Sequence, residues 1–425
     1  MNILIISNIE LDTKNASGNT YANWFTGWED SKIACIYCRD TYPNNEFCDE
    51  YYSVSPISII KNLFSPKKIG KHFYRNNIKL DNSVGKTERK LVRHSKHSNR
   101  GLFYLVTDIL FSSNIWMNAR YKDFISDFKP DIVFFFAKSD AFIYKNLKYI
   151  KKHTNAKCVA FYADDVYRRF KDTKGLIYRI FEYRFSKVVR LVDYHYGASK
   201  LMCDDYGSLF NIPIKPLYKG CDISEVVNVQ NKPLKIVYAG NLYYGRPETL
   251  SKIAAALKAI NRNEVRVVLE IYTTAEITPE IEKALNIPNA SYIMGSRPYN
   301  EIKNIMHHAD FVLHVESFSS DYIRSVRLSY STKISDCLQS GSVLMVVGPR
   351  DIASVEEALQ IPGALVITEL DKIQNLILDV LKKKDGLVER ARSINEYAKK
   401  YFPLSVVRTN LYKDLRNLIV SNEKS

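Results

Sequence analysis

The stretch ADFVLHVESFSSDYIRSVRLSYSTKISDCLQSGSVLMVVG, residues 309–348, decides the fold. It contains two apolar runs, Phe311–Val315 and Val343–Val347, which have the length of buried strands. Between them lie an acidic turn beginning at Glu316, a polar basic loop, and a short apolar helical pattern that stops at Gly341. The order strand, loop, short helix, strand is typical of a parallel sheet with helical crossovers.

The start of that short helix has the composition of an anion site. Ser331 and Thr332 are favourable N-cap residues, and Lys333 follows them in the first turn. A lysine there opposes the helix dipole, and an anion such as a diphosphate between the two would remove the conflict. A pair between Lys333 and Asp336, one turn later, explains the lysine equally well. The sequence leaves both explanations open.

Strands and helices of about a dozen residues alternate along the whole chain, in two arrays separated by a polar segment at 222–233. The 425 residues exceed what one core usually holds. The sequence therefore predicts an α/β protein with two doubly wound, Rossmann-like domains facing a cleft. We expect these domains at 1–222 and 234–400, with a C-terminal helix at 403–425 that packs back on the first domain. Ligands should bind at the carboxyl ends of the strands.

The chain carries a net charge of +15, and much of it comes from residues 61–100. Such a segment is either a solvated basic face or a site for an anionic membrane surface or nucleic acid. The chain has no recognisable nucleic-acid-binding module, so we expect no nucleic acid partner.

Neither a membrane span nor a signal peptide is predicted. The apolar runs are strand-sized, far below the roughly 18 residues of a membrane span. The N-terminal sequence MNILIISN reads as a strand. The seven cysteines are odd in number and scattered, which argues against a disulfide framework. We therefore expect a cytoplasmic protein, soluble or held at the inner face of the membrane.

Several segments carry a family resemblance. They are SGN (17–19), expected as a glycine loop after the first strand, and VYAGNLYYGR (237–246), YIMGSR (292–297), HVESF (314–318) and STKISDCLQSG (331–341). Together they resemble the GT-B fold glycosyltransferases, and most closely the bacterial family 4-type enzymes that build surface polysaccharides. In that family an acidic residue ends a strand and a second acidic residue lies on the next helix. Glu316 and Asp336 occupy those positions.

The resemblance implies a hexosyltransferase that moves a sugar from a UDP- or GDP-sugar to a hydroxyl of a saccharide, free or lipid-linked. It implies retention of configuration, with the donor bound by the C-terminal domain and the acceptor by the N-terminal domain. The chain lacks the Asp-x-Asp pair through which many glycosyltransferases hold a metal. We therefore expect neither a metal nor a cofactor, and cationic side chains in the metal's place.

The resemblance and the strand-end positions assign catalysis to Glu316, Lys333, Arg246 and Asp165. For Asp165, which would position the acceptor, a helix N-cap is the competing explanation. Donor binding is assigned to Gly18, Asn19, Gly240, Asn241, Tyr272, Arg297, Ser317, Phe318, Arg324, Arg327, Ser331, Thr332 and Asp336.

Two other functions compete with glycosyl transfer. A nucleotide-sugar epimerase shares the two-domain architecture and would turn over without an acceptor. A non-catalytic protein could instead use its basic face to bind a membrane or a nucleic acid.

Overall fold

The structure is a computed structural model that describes residues 1–77, 100–168, 175–226, 231–382 and 386–420. The chain divides into two compact units. The first contains Met1–Gly197, Cys203–Leu217 and the residues from Arg408 onward, and the second contains Ala198–Met202 and Tyr218–Val407.

The first unit is built on an eight-stranded sheet of order β4-β3-β2-β1-β5-β6-β7-β8. Only β4 runs antiparallel to its neighbour. The strands are β1 Asn2–Ser7, β2 Lys32–Tyr37, β3 Glu50–Ser53, β4 Lys71–Tyr74, β5 Ile132–Phe136, β6 Lys157–Tyr162, β7 Tyr194–Gly197 and β8 Lys215–Pro216. The helices are α1 Ala16–Phe25, α2 Pro56–Lys61, α3 Arg100–Ser112, α4 Ala119–Phe128, α5 Ala141–His153, α6 Leu176–Leu191 and α7 Lys200–Phe210. Short 3₁₀ turns occupy Pro66–Lys68 and Arg75–Asn77.

The second unit has a six-stranded, wholly parallel sheet of order β11-β10-β9-β12-β13-β14. Its strands are β9 Leu234–Ala239, β10 Val267–Tyr272, β11 Ser291–Gly295, β12 Phe311–Val315, β13 Val343–Val347 and β14 Leu365–Ile367. The helices that follow in the chain are α8 Arg246–Ile260, α9 Pro279–Leu285, α10 Tyr299–His307, α11 Ser320–Val326, α12 Thr332–Leu338, α13 Ala353–Ala358, α14 Ile373–Lys382, α15 Gly386–Tyr401 and α16 Leu404–Val420.

The two strands of the opening stretch form the centre of the second core. Every residue of β12 and β13 is buried, because helices cover both faces of a parallel sheet. The predicted fold class, two doubly wound α/β domains, is confirmed.

Two local predictions were wrong. The basic loop between β12 and β13 contains an additional helix, α11, which the sequence pattern hides because it is only seven residues long. The segment SGN (17–19) is not a glycine loop but the first turn of α1. Asn15 starts that helix early, since its side-chain oxygen accepts a hydrogen bond from the backbone N–H of Gly18 at 2.7 Å.

The C-terminal helix α16 contributes to the first unit from Arg408 onward. The Arg408 side chain donates to the backbone carbonyl of Asn23 at 2.7 Å, and the side chains of Leu411 and Leu415 are buried. Asp414 accepts a hydrogen bond from the Tyr196 hydroxyl at 2.7 Å.

None of the helices in the described part of the chain combines the length and apolarity needed to cross a bilayer. Much of the basic segment predicted at 61–100, namely 78–99, lies outside the described residues.

Candidate functional site

The second sheet reverses its strand order between β9 and β12, because β10 lies on one side of β9 and β12 on the other. In open parallel sheets, ligands bind at the carboxyl ends of the strands beside such a reversal. The loop 240–245 follows β9, and Glu316 directly follows β12. These two segments therefore form the expected edge of a ligand site.

Glu316 is held in a buried cluster of charged groups. Its side chain is 3% exposed. One carboxylate oxygen lies 2.9 Å from Nε2 of His314, and Nη2 of Arg246 lies 3.4 and 3.3 Å from the two oxygens. Burial alone would raise the pKa of Glu316, but the neighbouring His314 and Arg246 lower the pKa below its ordinary value. Glu316 is therefore ionised at neutral pH.

Arg246, the first residue of α8, has its guanidinium fixed on three sides. Besides the contact with Glu316, Nε donates to the backbone carbonyl of Val315 at 3.1 Å, and Nη1 donates to Oδ1 of Asn241 at 2.7 Å. The planar guanidinium suits such divergent contacts. Asn241 and Glu316, predicted as separate site residues, thus converge on one cation.

The loop 240–245 packs directly on the end of β12. Gly245 has a φ of +69°, and a Cβ at this position would lie 2.5 Å from Oγ of Ser317 and 2.5 Å from the ring of Tyr322 on α11. A glycine is therefore required here by both backbone conformation and space. The hydroxyl of Thr249 donates to the Glu316 carbonyl at 2.8 Å and ties α8 to the same strand end.

Asp336 forms a second ionic cluster with two lysines. One carboxylate oxygen lies 3.6 Å from Nζ of Lys219, and the other lies 3.4 Å from Nζ of Lys333. The Lys333–Asp336 pair is thus present. It is one of the two explanations that the sequence offered for a lysine in the first turn of this helix. The N–H of Lys333 already donates to Oγ of Ser331 at 3.3 Å. Thr332 is exposed at the start of this seven-residue helix, whose short length leaves it little dipole. An anion contact for Lys333 remains a prediction.

The remaining residues predicted to bind the donor in the second unit lie near strand ends or on α11. The Tyr272 hydroxyl donates to Glu270 at 2.8 Å, and burial raises the pKa of Tyr272 to about 12. Arg297 is exposed after β11. Gly240, Ser317 and Phe318 lie at the ends of β9 and β12, Arg324 lies on α11, and Arg327 follows α11.

The first-unit residues predicted for the site serve local structure. Gly18 is buried so closely against Asp12 that a Cβ would lie 2.2 Å from the Asp12 carbonyl oxygen, while the following Asn19 is exposed. Asp165 accepts hydrogen bonds from the Arg168 backbone at 3.2 Å and from the Tyr206 hydroxyl at 2.8 Å. In the described residues Asp165 precedes a turn at 166–168 and not a helix, and its role in positioning the acceptor stays a prediction.

The sequence alone did not single out three residues that contact Glu316 or Asp336. They are His314, Thr249 and Lys219. His314 lies two residues before Glu316, and the two-residue period of a strand places both side chains on one face. That spacing could have linked them. Nothing in the sequence marks Lys219, because its contact with Asp336 depends on tertiary packing. Within the ranges that the structure describes, no group of three or more His, Cys, Asp or Glu side chains is arranged to hold a metal ion.

No protein-family model matches the chain, and no curated protein matches its sequence. Solved structures do match it over nearly the whole length. Sucrose-phosphate synthase from Thermosynechococcus elongatus superposes with a TM-score of 0.63 at 9% identity, over 99% of each chain. HepE from Anabaena, solved in complex with UDP and glucose, gives a TM-score of 0.60 at 10% identity, over 98% of this chain and 100% of that chain.

An α,α-trehalose-phosphate synthase (UDP-forming) from Burkholderia vietnamiensis gives a TM-score of 0.58 at 10% identity, over 98% of this chain and 100% of that chain. At identities this low the likeness shows the fold alone, and the coverage includes both sheets. The chain therefore has the two-domain α/β fold, GT-B, that these structures share.

Proposed function

We propose that the protein is a glycosyltransferase that moves a sugar from a nucleotide-diphosphate sugar to a hydroxyl of a saccharide. The observation that carries this proposal is the Arg246 guanidinium, fixed at the carboxyl ends of β9 and β12 where the strand order reverses. The solved structures favour UDP as the nucleotide, since one contains UDP and glucose and another is of a UDP-forming enzyme.

Transfer of a sugar leaves a nucleoside diphosphate whose oxygens gain negative charge in the transition state. A positive group that is already oriented stabilises this charge without reorganising during the reaction. The contacts of Arg246 use at most four of the five N–H groups of an arginine. We assign the remaining donor capacity of Arg246, together with Lys333, to the diphosphate, in place of a metal.

Glu316 has a supporting part in this scheme. Because its carboxylate is buried and contacts His314 and Arg246, we propose that it orients the Arg246 guanidinium. Any contact of Glu316 with the sugar would use the remaining lone pairs of the same carboxylate.

The nucleoside would be bound by residues at neighbouring strand ends. The Asp336 side chain lies between Lys219 and Lys333, and its two oxygens can accept from the two ribose hydroxyls. Tyr272 ends β10 and Arg297 follows β11, on the side where we place the base. The rest of the donor is assigned to Gly18, Asn19, Gly240, Ser317, Phe318, Arg324, Arg327, Ser331 and Thr332. Asp165 of the first unit is kept as a residue that positions the acceptor.

We further propose that the reaction retains configuration, with a donor phosphate oxygen taking the acceptor proton, and that the acceptor is a saccharide of surface polysaccharide synthesis, lipid-linked or free. The membership of family 4 belongs to this proposal as well.

A nucleotide panel tests the proposal. We expect UDP or a UDP-sugar to raise the melting temperature of the full chain, with smaller shifts from GDP, CMP and dTDP sugars. Arg246→Lys keeps the positive charge but loses the planar guanidinium with its several N–H donors. It should therefore strongly reduce the rise in melting temperature that UDP causes. Arg392→Lys is the control, because the Arg392 side chain is 64% exposed on α15. No shift with any nucleotide would rule out a donor site, and donor turnover to a new sugar epimer without an acceptor would indicate an epimerase instead.

A further inference from the structure

An exposed apolar surface spans the last turn of α2 and the residues directly after it in the first unit. The Phe64 side chain is completely exposed, at 101%, and Ile60 and Leu63 are exposed to 52% and 41%. We call these three residues the apolar turn. A single exposed apolar side chain is ordinary, but three within five residues form a patch that water solvates poorly.

The turn is ordered, so its exposure is not the result of a loose chain. The backbone N–H of Ser65 donates to the Asn62 carbonyl at 2.9 Å. The side-chain amide of Asn118 donates to the carbonyls of Pro66 and Ile69 at 2.7 and 2.8 Å, and Ile69 itself is buried. These hydrogen bonds hold the backbone before and after Phe64 in place, while the Phe64 ring is exposed to solvent.

A neighbouring helix exposes further apolar side chains. Helix α3 packs against α2 and carries Val106 and Ile109, which are exposed to 44% and 61%. Residues three apart on a helix share one face. The helix next to α2 therefore has an exposed apolar face of its own.

Basic residues flank the apolar turn in the chain. Residues 56–75 contain five lysines and arginines and no acidic residue. Lys61, Lys67 and Lys68 are all exposed. Within the residues that the structure describes, none of these three lysines forms an ion pair. The segment thus combines exposed bulky apolar side chains with exposed, unpaired lysines close to them in the chain.

We propose that this surface docks on an anionic lipid bilayer. Phe64, Leu63 and Ile60 enter the boundary between head groups and acyl chains, and the three lysines contact the lipid phosphates. The partner must accept apolar side chains in its interior and present negative charge at its surface. An anionic bilayer does both, because its acyl chains lie beneath a layer of phosphates, and it therefore fits better than a groove on a protein. The proposal is independent of the enzymatic proposal, since it concerns only this surface.

Vesicle co-sedimentation of the full chain tests the proposal. We expect binding to vesicles of phosphatidylcholine with about 30% phosphatidylglycerol, weak binding to phosphatidylcholine alone, and weaker binding as salt is raised, since screening acts on the lysines. The double variant Leu63→Ser/Phe64→Ser should bind anionic vesicles about tenfold less, because its apolar insertion is lost. Lys67→Glu/Lys68→Glu should lose most binding to anionic vesicles.

Leu209→Ser is the matched control, since Leu209 is exposed to 42% in the same unit on α7. It should bind as the unaltered chain does. All variants touch exposed residues, so their unfolding midpoints should be unchanged, and this is checked in parallel. The proposal is overturned if the unaltered chain binds no anionic vesicle, if Leu63→Ser/Phe64→Ser binds equally well, or if the same substitutions abolish self-association or RNA binding in a chain that does not bind vesicles.

Discussion

The two sheets reverse their strand order at equivalent places, beside β1 in the first unit and beside β9 in the second, yet they use carboxylates differently there. In the first unit, Asp140 accepts from the side chain of Asn8 at 3.0 Å and caps α5 through the N–H of Ile143. In the second unit, Glu316 caps no helix and is instead buried against Arg246.

The difference teaches that topology fixes the location of a site but not its chemistry. A carboxylate that caps a helix exchanges water for backbone N–H groups and needs no counter-charge. A buried carboxylate that accepts no backbone N–H groups needs a neighbouring cation to offset the cost of burying its charge. The contact with the carboxylate then fixes the orientation of that cation. Only the second arrangement prepares a positive group for an anionic ligand.

The largest predicted effect is the loss of the buried cation. Arg246→Met should lower the free energy of unfolding of the second unit by about 3 kcal/mol, because Glu316 would remain buried without its arginine partner. Urea unfolding measures this change. Arg392→Met, at an exposed helix position, should change the same free energy by less than about 0.5 kcal/mol. Equal effects of the two substitutions would contradict a buried ionic role for Arg246.

The next effect concerns the loop that approaches the strand end. Gly245→Ala should lower the free energy of unfolding by about 2 kcal/mol, since φ is positive and the methyl group would meet Ser317 and Tyr322 at 2.5 Å. Gly386→Ala is the control, because a Cβ there meets nothing within 4 Å. A helical glycine without contacts should be neutral or slightly stabilised by the change.

The two units should respond to acid in opposite directions. Burial lowers the pKa of His195 in the first unit to about 4. Its neutral form is therefore favoured by folding, and the associated stability, on the order of 2 kcal/mol, is present above the unfolded pKa of about 6.5 and lost as the pH falls toward 4. Burial raises the pKa of Glu357 in the second unit to about 7. Protonation of Glu357 therefore favours folding as the pH falls from 7 toward its unfolded pKa of about 4.5.

Hydrogen exchange, read separately for peptides of each unit at about pH 7 and about pH 5, measures this contrast once intrinsic exchange rates are corrected. Between pH 7 and pH 5, protection of the backbone amides against exchange should fall in the first unit, because His195 becomes protonated. In the second unit, protonation of Glu357 should stabilise the fold and so maintain the protection. Glu357→Gln should remove the second contribution and leave the first unchanged. If both units lose protection in parallel and Glu357→Gln has no effect, the opposing assignment is wrong.

The smallest effect on stability is expected at Lys333. Its side chain is 50% exposed, so loss of the pair with Asp336 should change the free energy of unfolding by less than about 0.5 kcal/mol. If Lys333 contacts the diphosphate, Lys333→Ala should nevertheless weaken UDP binding about tenfold, the usual cost of a charge-assisted hydrogen bond. Titration calorimetry with UDP measures this, with Lys382→Ala as an exposed control. Unchanged UDP affinity would remove Lys333 from the site.

The sequence predicted the features that follow from the spacing of apolar residues, and it missed the side-chain contacts that depend on tertiary packing. The buried strands β12 and β13 and the two-domain α/β class follow from apolar runs and their spacing. Strand ends predicted Glu316 and Arg246 as site residues, and the structure brings these two side chains together. The sequence could not show that Asn241 contacts Arg246, since this contact depends on the conformation of the loop 240–245. The two-residue spacing of His314 and Glu316 on β12 could have indicated their contact. Helix α11 was missed because a seven-residue helix leaves too few turns for a pattern.

Helix α16 has a consequence for how the protein is made. Its last part supplies Leu411 and Leu415 to the core of the first unit, although nearly two hundred residues separate it from Leu217, the preceding segment of that unit. During translation, the first unit emerges from the ribosome well before its final helix exists. The second unit becomes complete before the first, so the part of the first unit that packs against Leu411 and Leu415 stays uncovered until then. A nascent chain stalled before Arg408 should therefore be a better chaperone client than the finished protein.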